Sequence, residues 1–363
     1  MGRDDEDRML GNMKIVWTAV VAVLLAVAAG VTILTLRGGG ELEAGFVAEG
    51  SSGKEMTHEV EVQLPIGTVR LSSGAPIEEI AAGRVGKDED GSLRAVGGSK
   101  IVPVAWSFRP TLSYDDLLGY PTTFSLAVTA GGERTDLGEP DVDLHEAAGS
   151  GLFPEASFIV VVAGDGDDLG FEVSYEDETQ RVDMASGQVE AGRAASLYPD
   201  GPQTLGTDED CDARRTPDST TRIEYVDAGR GSIYCRVDPL TRTPYLPDLG
   251  WAEDGRTWSV VDVTVTAPRS VRWIPTGARY RVRRDPVVVS LGAAEAVRTP
   301  RSGADGEAAR TGTWVFDSAA DDTDETDETL HVAAPMTATR SAGTTAGPAA
   351  IRFGVDQTFH LQR

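Results

Sequence analysis

In HEVEVQL, residues 58–64, apolar and polar positions alternate: Val60, Val62 and Leu64 fall on one face, Glu59, Glu61 and Gln63 on the other. A period of two marks a strand with one buried face. The pattern returns in TFSLAVTAGGERTDL, where Phe124, Leu126 and Val128 share a face and Gly131-Gly132 supplies a hairpin turn. SFIVVVA, residues 157–163, is almost wholly apolar, as a strand covered on both faces is. FEVSY, 171–175, alternates again, and TQRVDM follows a short acidic turn. In GRTWSVVDVTVTAP, residues 255–268, Val261, Val263 and Val265 form a core face; Trp258, Val260, Asp262, Thr264 and Thr266 form the other. Asp262 therefore faces outward or meets a neighbouring donor, and is not read as catalytic. Helix signals are sparse after residue 40. IEEIAAGRV (77–85) is compatible with a short helix, and SLGAAEAVR (290–298) with another unless it merely leaves a strand. Short strands between glycine- and proline-rich turns predict antiparallel β-sandwiches.

One segment breaks the pattern. Residues 15–36, IVWTAVVAVLLAVAAGVTILTL, carry no charge. As a helix they extend about 33 Å, enough for a bilayer core of about 30 Å. They read as a transmembrane signal-anchor, contacting the lipid bilayer. The alternative is a signal peptide cleaved after Ala28, since Ala26-Val27-Ala28 has the small-x-small form; the apolar run, however, continues well past it. Arg3, Arg8 and Lys14 precede the segment, whereas Arg37 is followed by no base until Lys54. The bias places the N-terminus in the cytoplasm and the rest outside.

This gives a cytoplasmic tail (1–14), a transmembrane helix (15–36), a flexible Gly-, Ser- and acid-rich stalk (37–57), a first β-sandwich (58–195), a linker (196–219) and a second β-sandwich (220–363). The two cysteines, Cys211 and Cys235, both fall in the outer part. In an oxidising compartment such a pair is expected to bond. Closing the loop stabilises by about 3 kcal/mol on a chain-entropy account. Two unrelated buried thiols are the alternative.

GRTWSVVDVTVT resembles a strand of the extracellular immunoglobulin-like domains of unknown function in bacterial, actinobacterial-type membrane-anchored proteins and lipoproteins. In that pattern an aromatic-containing strand and then a G-x-x-x-F strand follow, the latter matched by Gly312-Thr313-Trp314-Val315-Phe316. The similarity covers about residues 250–335. It departs at Ala267-Pro268, where the pattern has asparagine, and no cysteine lies near the N-terminus to act as a lipobox. The resemblance implies an immunoglobulin-like fold and an envelope location, and brings no catalytic residue.

Formal charge is −25, from 58 acids and 33 bases. That field repels a polyanion, so no nucleic-acid partner is expected. His145-Glu146 begins an HExxH string, but Gly149 stands where the second histidine belongs. His58 and His331 sit in strand-like runs. Ser51-Ser52-Gly53-Lys54 has S-x-x-K spacing but lies in the stalk without its partner motifs. Acidic clusters are solvated loops, which lack the asymmetric burial that acid/base pairs need. Asp88-Glu89-Asp90-Gly91 fails as an EF-hand because Gly86 and Gly97 occupy ligand positions. Asp165, Asp167 and Asp168, between two strands, are the candidate calcium ligands; a charged turn that blocks sheet aggregation is the plainer reading.

The sequence thus points to a mainly β, single-pass, extracytoplasmic protein. Its role is non-catalytic binding or scaffolding in the bacterial cell envelope, with an envelope protein as partner and no cofactor beyond calcium. Two alternatives stand beside it: an envelope enzyme acting on glycans through loop carboxylates about 5–10 Å apart, and a calcium-stabilised adhesin or sensor.

Overall fold

A computed structural model of the chain describes residues 40–86, 91–110, 119–143, 153–198, 203–207, 222–225, 233–299, 309–320, 328–342 and 347–362. They are mainly β, in several antiparallel sheets. Residues 15–36, expected to form a transmembrane helix, lie outside the described residues. Among the described residues no helix is long and apolar enough to cross a membrane.

The first group of strands comprises β1 (Glu41–Leu42), β2 (Val47–Glu49), β3 (Met56–Leu64), β4 (Gly67–Gly74), β5 (Glu79–Ala81), β6 (Ser92–Ala95), β7 (Ser99–Pro110), β8 (Ser125–Ala130), β9 (Glu133–Gly138), β10 (Glu155–Ala163), β11 (Gly170–Tyr175), β12 (Glu178–Asp183) and β13 (Val189–Glu190). They form five-stranded sheets in the orders β2-β10-β7-β4-β3 and β13-β12-β11-β8-β9, and a three-stranded sheet β1-β6-β5. The period-two face of β3, Val60, Val62 and Leu64, packs with Val69, Leu71, Val104 and Phe108 against Leu126, Val128, Phe171 and Val173 of the second sheet. Each fully buried branched side chain contributes about 1.5–3 kcal/mol. Gly131 and Gly132, at φ of +60° and +77°, close the β8–β9 hairpin as the sequence suggested.

The apolar run of β10 is covered on both faces. Val160 and Val162 enter the main core. Ile159 and Val161 instead join Ile101, Leu42, Ile80 and Leu93 in a smaller core under the three-stranded sheet. That second core corrects the expected stalk. Residues 40–57 are woven into the fold: Leu42 is 3% exposed, β1 pairs with β6 and β2 with β10. The anticipated helix at 77–85 is instead β5 followed by a 3-10 turn, Ala82–Val85.

The second group comprises β14 (Gln203–Leu205), β15 (Ile223–Tyr225), β16 (Tyr234–Val237), β17 (Leu240–Thr243), β18 (Tyr245–Leu246), β19 (Gly250–Trp251), β20 (Arg256–Thr266), β21 (Ser270–Trp273), β22 (Ala278–Arg284), β23 (Val288–Leu291), β24 (Ala294–Glu295), β25 (Ala309–Ala319), β26 (Glu328–Ala342) and β27 (Ala350–Leu361). Strand β20 carries β16 and β17 along one edge and β25 along the other. In the facing sheet β26 likewise carries β22 and β23 on one edge and β27 on the other. Val261, Val263, Val265, Trp314 and Phe316 of one sheet meet Val271, Tyr280, Leu330, Val332 and Phe353 of the other in a common core. Two isolated bridges, Gly206–Gln362 and Arg298–Val315, tie the sheet edges together. At that end the hydrogen-bonded order runs β14-β17-β20-β25, passes by the residues just after β24 to β24-β23-β26-β27, and returns through Gln362 to the residue after β14. Such closure covers strand edges that would otherwise invite aggregation at that end. Residues 290–298 end β23, turn at Gly292 and form β24, with no helix.

The expected linker, 196–219, is narrower than supposed. Leu197 belongs to the first core, and β14 already pairs with β17 of the second group. The chain also crosses the boundary in reverse. Tyr245 and Trp251, on the short β18–β19 hairpin, are buried in the first core.

Candidate functional site

Among the described residues, those singled out from sequence do not come together as a metal-binding set. Asp165, Asp167 and Asp168 are exposed on the β10–β11 turn. Asp168 accepts a hydrogen bond from the Gly131 amide at 2.8 Å, and Asp165 accepts one from the Asp167 amide at 3.2 Å. Both carboxylates therefore hold turns. No group of three or more His, Cys, Asp or Glu residues among the described ones is placed to bind a metal, so the calcium expectation gains no ligand cluster. Cys235 lies on β16, is 6% exposed, and is not a free thiol. Cys211 lies outside the described residues.

Asp262 is exposed and accepts from the hydroxyl of Thr313, directly opposite on β25. This is the outward, donor-matched role expected of it. Ser51 and Ser52 accept from the Gly53 and Lys54 amides and so build a turn. His331 pairs with Asp356 at 2.8 Å on an open sheet face. His145 lies outside the described residues.

Two other features are built by side chains that the sequence patterns did not single out. The first is the junction of the two halves. Trp251 donates its indole N–H to the Tyr175 carbonyl at 3.2 Å. Its ring meets Tyr245 at 5.3 Å and Tyr175 at 6.3 Å, both edge-on. Arg193 lies over the same ring at 5.9 Å, held by Glu178 at 2.6 Å. The hairpin is fixed to its own half because Trp258 donates to the Gly250 carbonyl at 2.9 Å. Burial, then the nearby acidic Glu176, pushes the Tyr245 hydroxyl up to about 12. Burial raises Tyr175 further still. The junction is thus a packed aromatic plug.

The second feature is the outer face of the β21–β22 hairpin. Its tip is tight. The Gly277 amide donates to the Trp273 carbonyl at 2.8 Å, and Gly277 adopts a φ of +74° that disfavours a Cβ-bearing residue. Because side chains alternate along β22, Ala278 and Tyr280 point into the core while Arg279, Arg281 and Arg283 stand outward, about 7 Å apart in succession. Across the ladder, Arg272 faces Arg279 and Ser270 faces Arg281. On β26, Thr339 and Thr337 lie opposite Arg281 and Arg283. At the tip Arg222 covers the half-buried Trp273 ring at 6.0 Å, and Ile274 is 56% exposed. Glu224 matches Arg272, and Asp285 matches Arg283 at 3.2 Å. Arg222, Arg279 and Arg281 have no carboxylate partner among the described residues.

A chain of net charge −25 thus concentrates exposed guanidinium groups on one outward sheet face. Guanidinium forks suit carboxylate and phosphate. The sequence carried the signal in ARYRVRR, where bases alternate with Tyr280 and Val282; the whole-chain charge conceals it. A smaller groove of about 110 Å³ on the first half is lined by Glu61, Arg70, Ser107, Arg109 and Phe153, with Arg109 stacked on Phe153 at 5.3 Å. There Arg70 is already matched by Glu59 and Glu61. No protein-family model, curated protein or solved structure matches this chain.

Proposed function

We propose that the chain is a single-pass, membrane-anchored protein. Its folded part lies on the extracytoplasmic side of a bacterial cell envelope, where it binds and scaffolds rather than catalyses. The observation that carries the reading is the arginine-bearing hairpin face, an exposed recognition surface for an anionic partner on a rigid β scaffold. The uncharged run 15–36 supports the anchor. Facing sheets with filled cores support a pair of β-sandwiches, the second closed at one end by strand bridges. A bond between Cys211 and Cys235 belongs to the same reading and fits an oxidising compartment.

The test is crosslinking in intact cells, followed by membrane fractionation and mass spectrometry. The chain is expected in the membrane fraction, crosslinked reproducibly to envelope components, and less so when Arg279 and Arg281 are replaced. Recovery in the soluble cytoplasm, or a crosslink pattern indifferent to those arginines, contradicts the reading.

A further inference from the structure

We infer that the β21–β22 hairpin docks onto an anionic phospholipid surface, its arginines on headgroup phosphates and Ile274 entering the interface. This rests on the proposed function only for the anchor that keeps a bilayer within reach.

Three properties of the hairpin select a membrane surface over a soluble anion. First, the arginines stand outward on an open sheet face. Arg279 and Arg281 share one strand side, Arg272 lies across the ladder, and Arg222 sits beside the tip. An open array of separated guanidinium groups meets several phosphates of a lipid surface at once, whereas a small anion is held by an enclosed fork. Second, the tip exposes an aliphatic side chain where water alone offers it nothing. Ile274 is 56% exposed, next to Trp273, whose ring packs partly on the core and partly under Arg222. Indole at the boundary between apolar and polar surroundings, with basic residues beside it, is the arrangement that binds lipid–water interfaces. Third, Arg222, Arg279 and Arg281 lack carboxylates among the described residues, so docking breaks no existing ion pair of theirs.

The total charge of −25 opposes approach to an anionic surface. Screening confines that opposition, since the Debye length is about 8 Å at physiological salt. Glu224 and Asp285, the acids matched to the face, are already paired with Arg272 and Arg283.

The experiment places the full chain in nanodiscs of phosphatidylcholine, so that residues 15–36 are already occupied. It then measures flotation with a second population of vesicles, either phosphatidylcholine alone or equimolar with phosphatidylglycerol. Binding only to the anionic vesicles, weakening as salt is raised, is expected. Replacing both Arg279 and Arg281 by alanine weakens it about 25-fold, at about fivefold per charge. Ile274→Ser weakens it further, and Arg94→Ala, remote in the first half, leaves it unchanged. All four side chains are exposed, so folding is preserved and is checked by circular dichroism. Equal binding to both vesicle types, indifference to the double variant, or full displacement by inorganic phosphate at matched ionic strength overturns the inference. If the chain does not enter nanodiscs, the anchor reading fails separately, and the vesicle assay on the free chain still decides the hairpin.

Discussion

Replacing Trp251 by alanine probes how the two halves are joined. By sequence Trp251 belongs to the second half, yet it is 7% exposed within the first core. The substitution removes a buried indole, its hydrogen bond to Tyr175, and its edge contacts with Tyr175 and Tyr245. Truncating a buried tryptophan costs about 3–5 kcal/mol, a range that already includes the cavity. Such losses are a large share of the roughly 5–15 kcal/mol that holds a domain folded. With a urea slope of about 2 kcal/mol/M, the midpoint falls by about 2 M. Hydrogen exchange with mass spectrometry on the full chain in detergent micelles locates the loss. Peptides of β3 and β11, in the first half, are expected to lose protection first. Trp251→Phe keeps most of the area and costs about 1–2 kcal/mol, chiefly the lost hydrogen bond. Loss of protection confined to β20–β27, or a midpoint shift under about 0.5 M for the alanine variant, refutes the account of the junction.

Other perturbations have equally definite outcomes. Gly354→Ala is strongly destabilising in thermal melts, because φ is +154° and a Cβ there meets the Ala334 carbonyl oxygen at 2.2 Å. Arg242→Ala leaves Glu328, itself only 19% exposed, without its 2.8 Å partner; a loss of about 3 kcal/mol is expected in chemical denaturation. In alkali, burial holds the Tyr198 and Tyr245 hydroxyls up to about 12, above the usual value of about 10. Their contribution is therefore intact below about pH 10 and lost as pH rises through about 12; the phenolate absorbance of these two, isolated by difference from the Tyr198→Phe and Tyr245→Phe variants, should appear with unfolding, not before it. In acid, Asp183, lowered because it accepts the Ser186 and Ala185 amides, contributes above its unfolded pKa and loses this as pH falls through its lowered one. Asp183→Asn should flatten that part of the acid melt.

Legibility in the sequence followed the length of each pattern. Val60, Val62 and Leu64, and Val261, Val263 and Val265, show several repeats of a period of two, so the faces they bury were readable. The doubly covered β10 was also readable, from SFIVVVA. Strands β1 and β2 are two and three residues long, too short to show a period. Only their partners, far along the chain, make them strands, so the segment read as stalk. Tyr245 and Trp251 carry no mark of which core they enter; an isolated aromatic states that it is buried, not where. Acidic loops are conspicuous in the sequence itself, whereas the guanidinium face arises from register. Arg272 and Arg279 become neighbours only once the hairpin forms.

The most direct measurement of the central claim is protease treatment of intact spheroplasts expressing the full chain, followed by membrane fractionation and mass spectrometry. The account predicts that peptides from the β units are released from outside, while a fragment containing residues 15–36 stays in the membrane pellet. Protection of the β units until the membrane is broken, or a full-length chain in the soluble fraction, would contradict it.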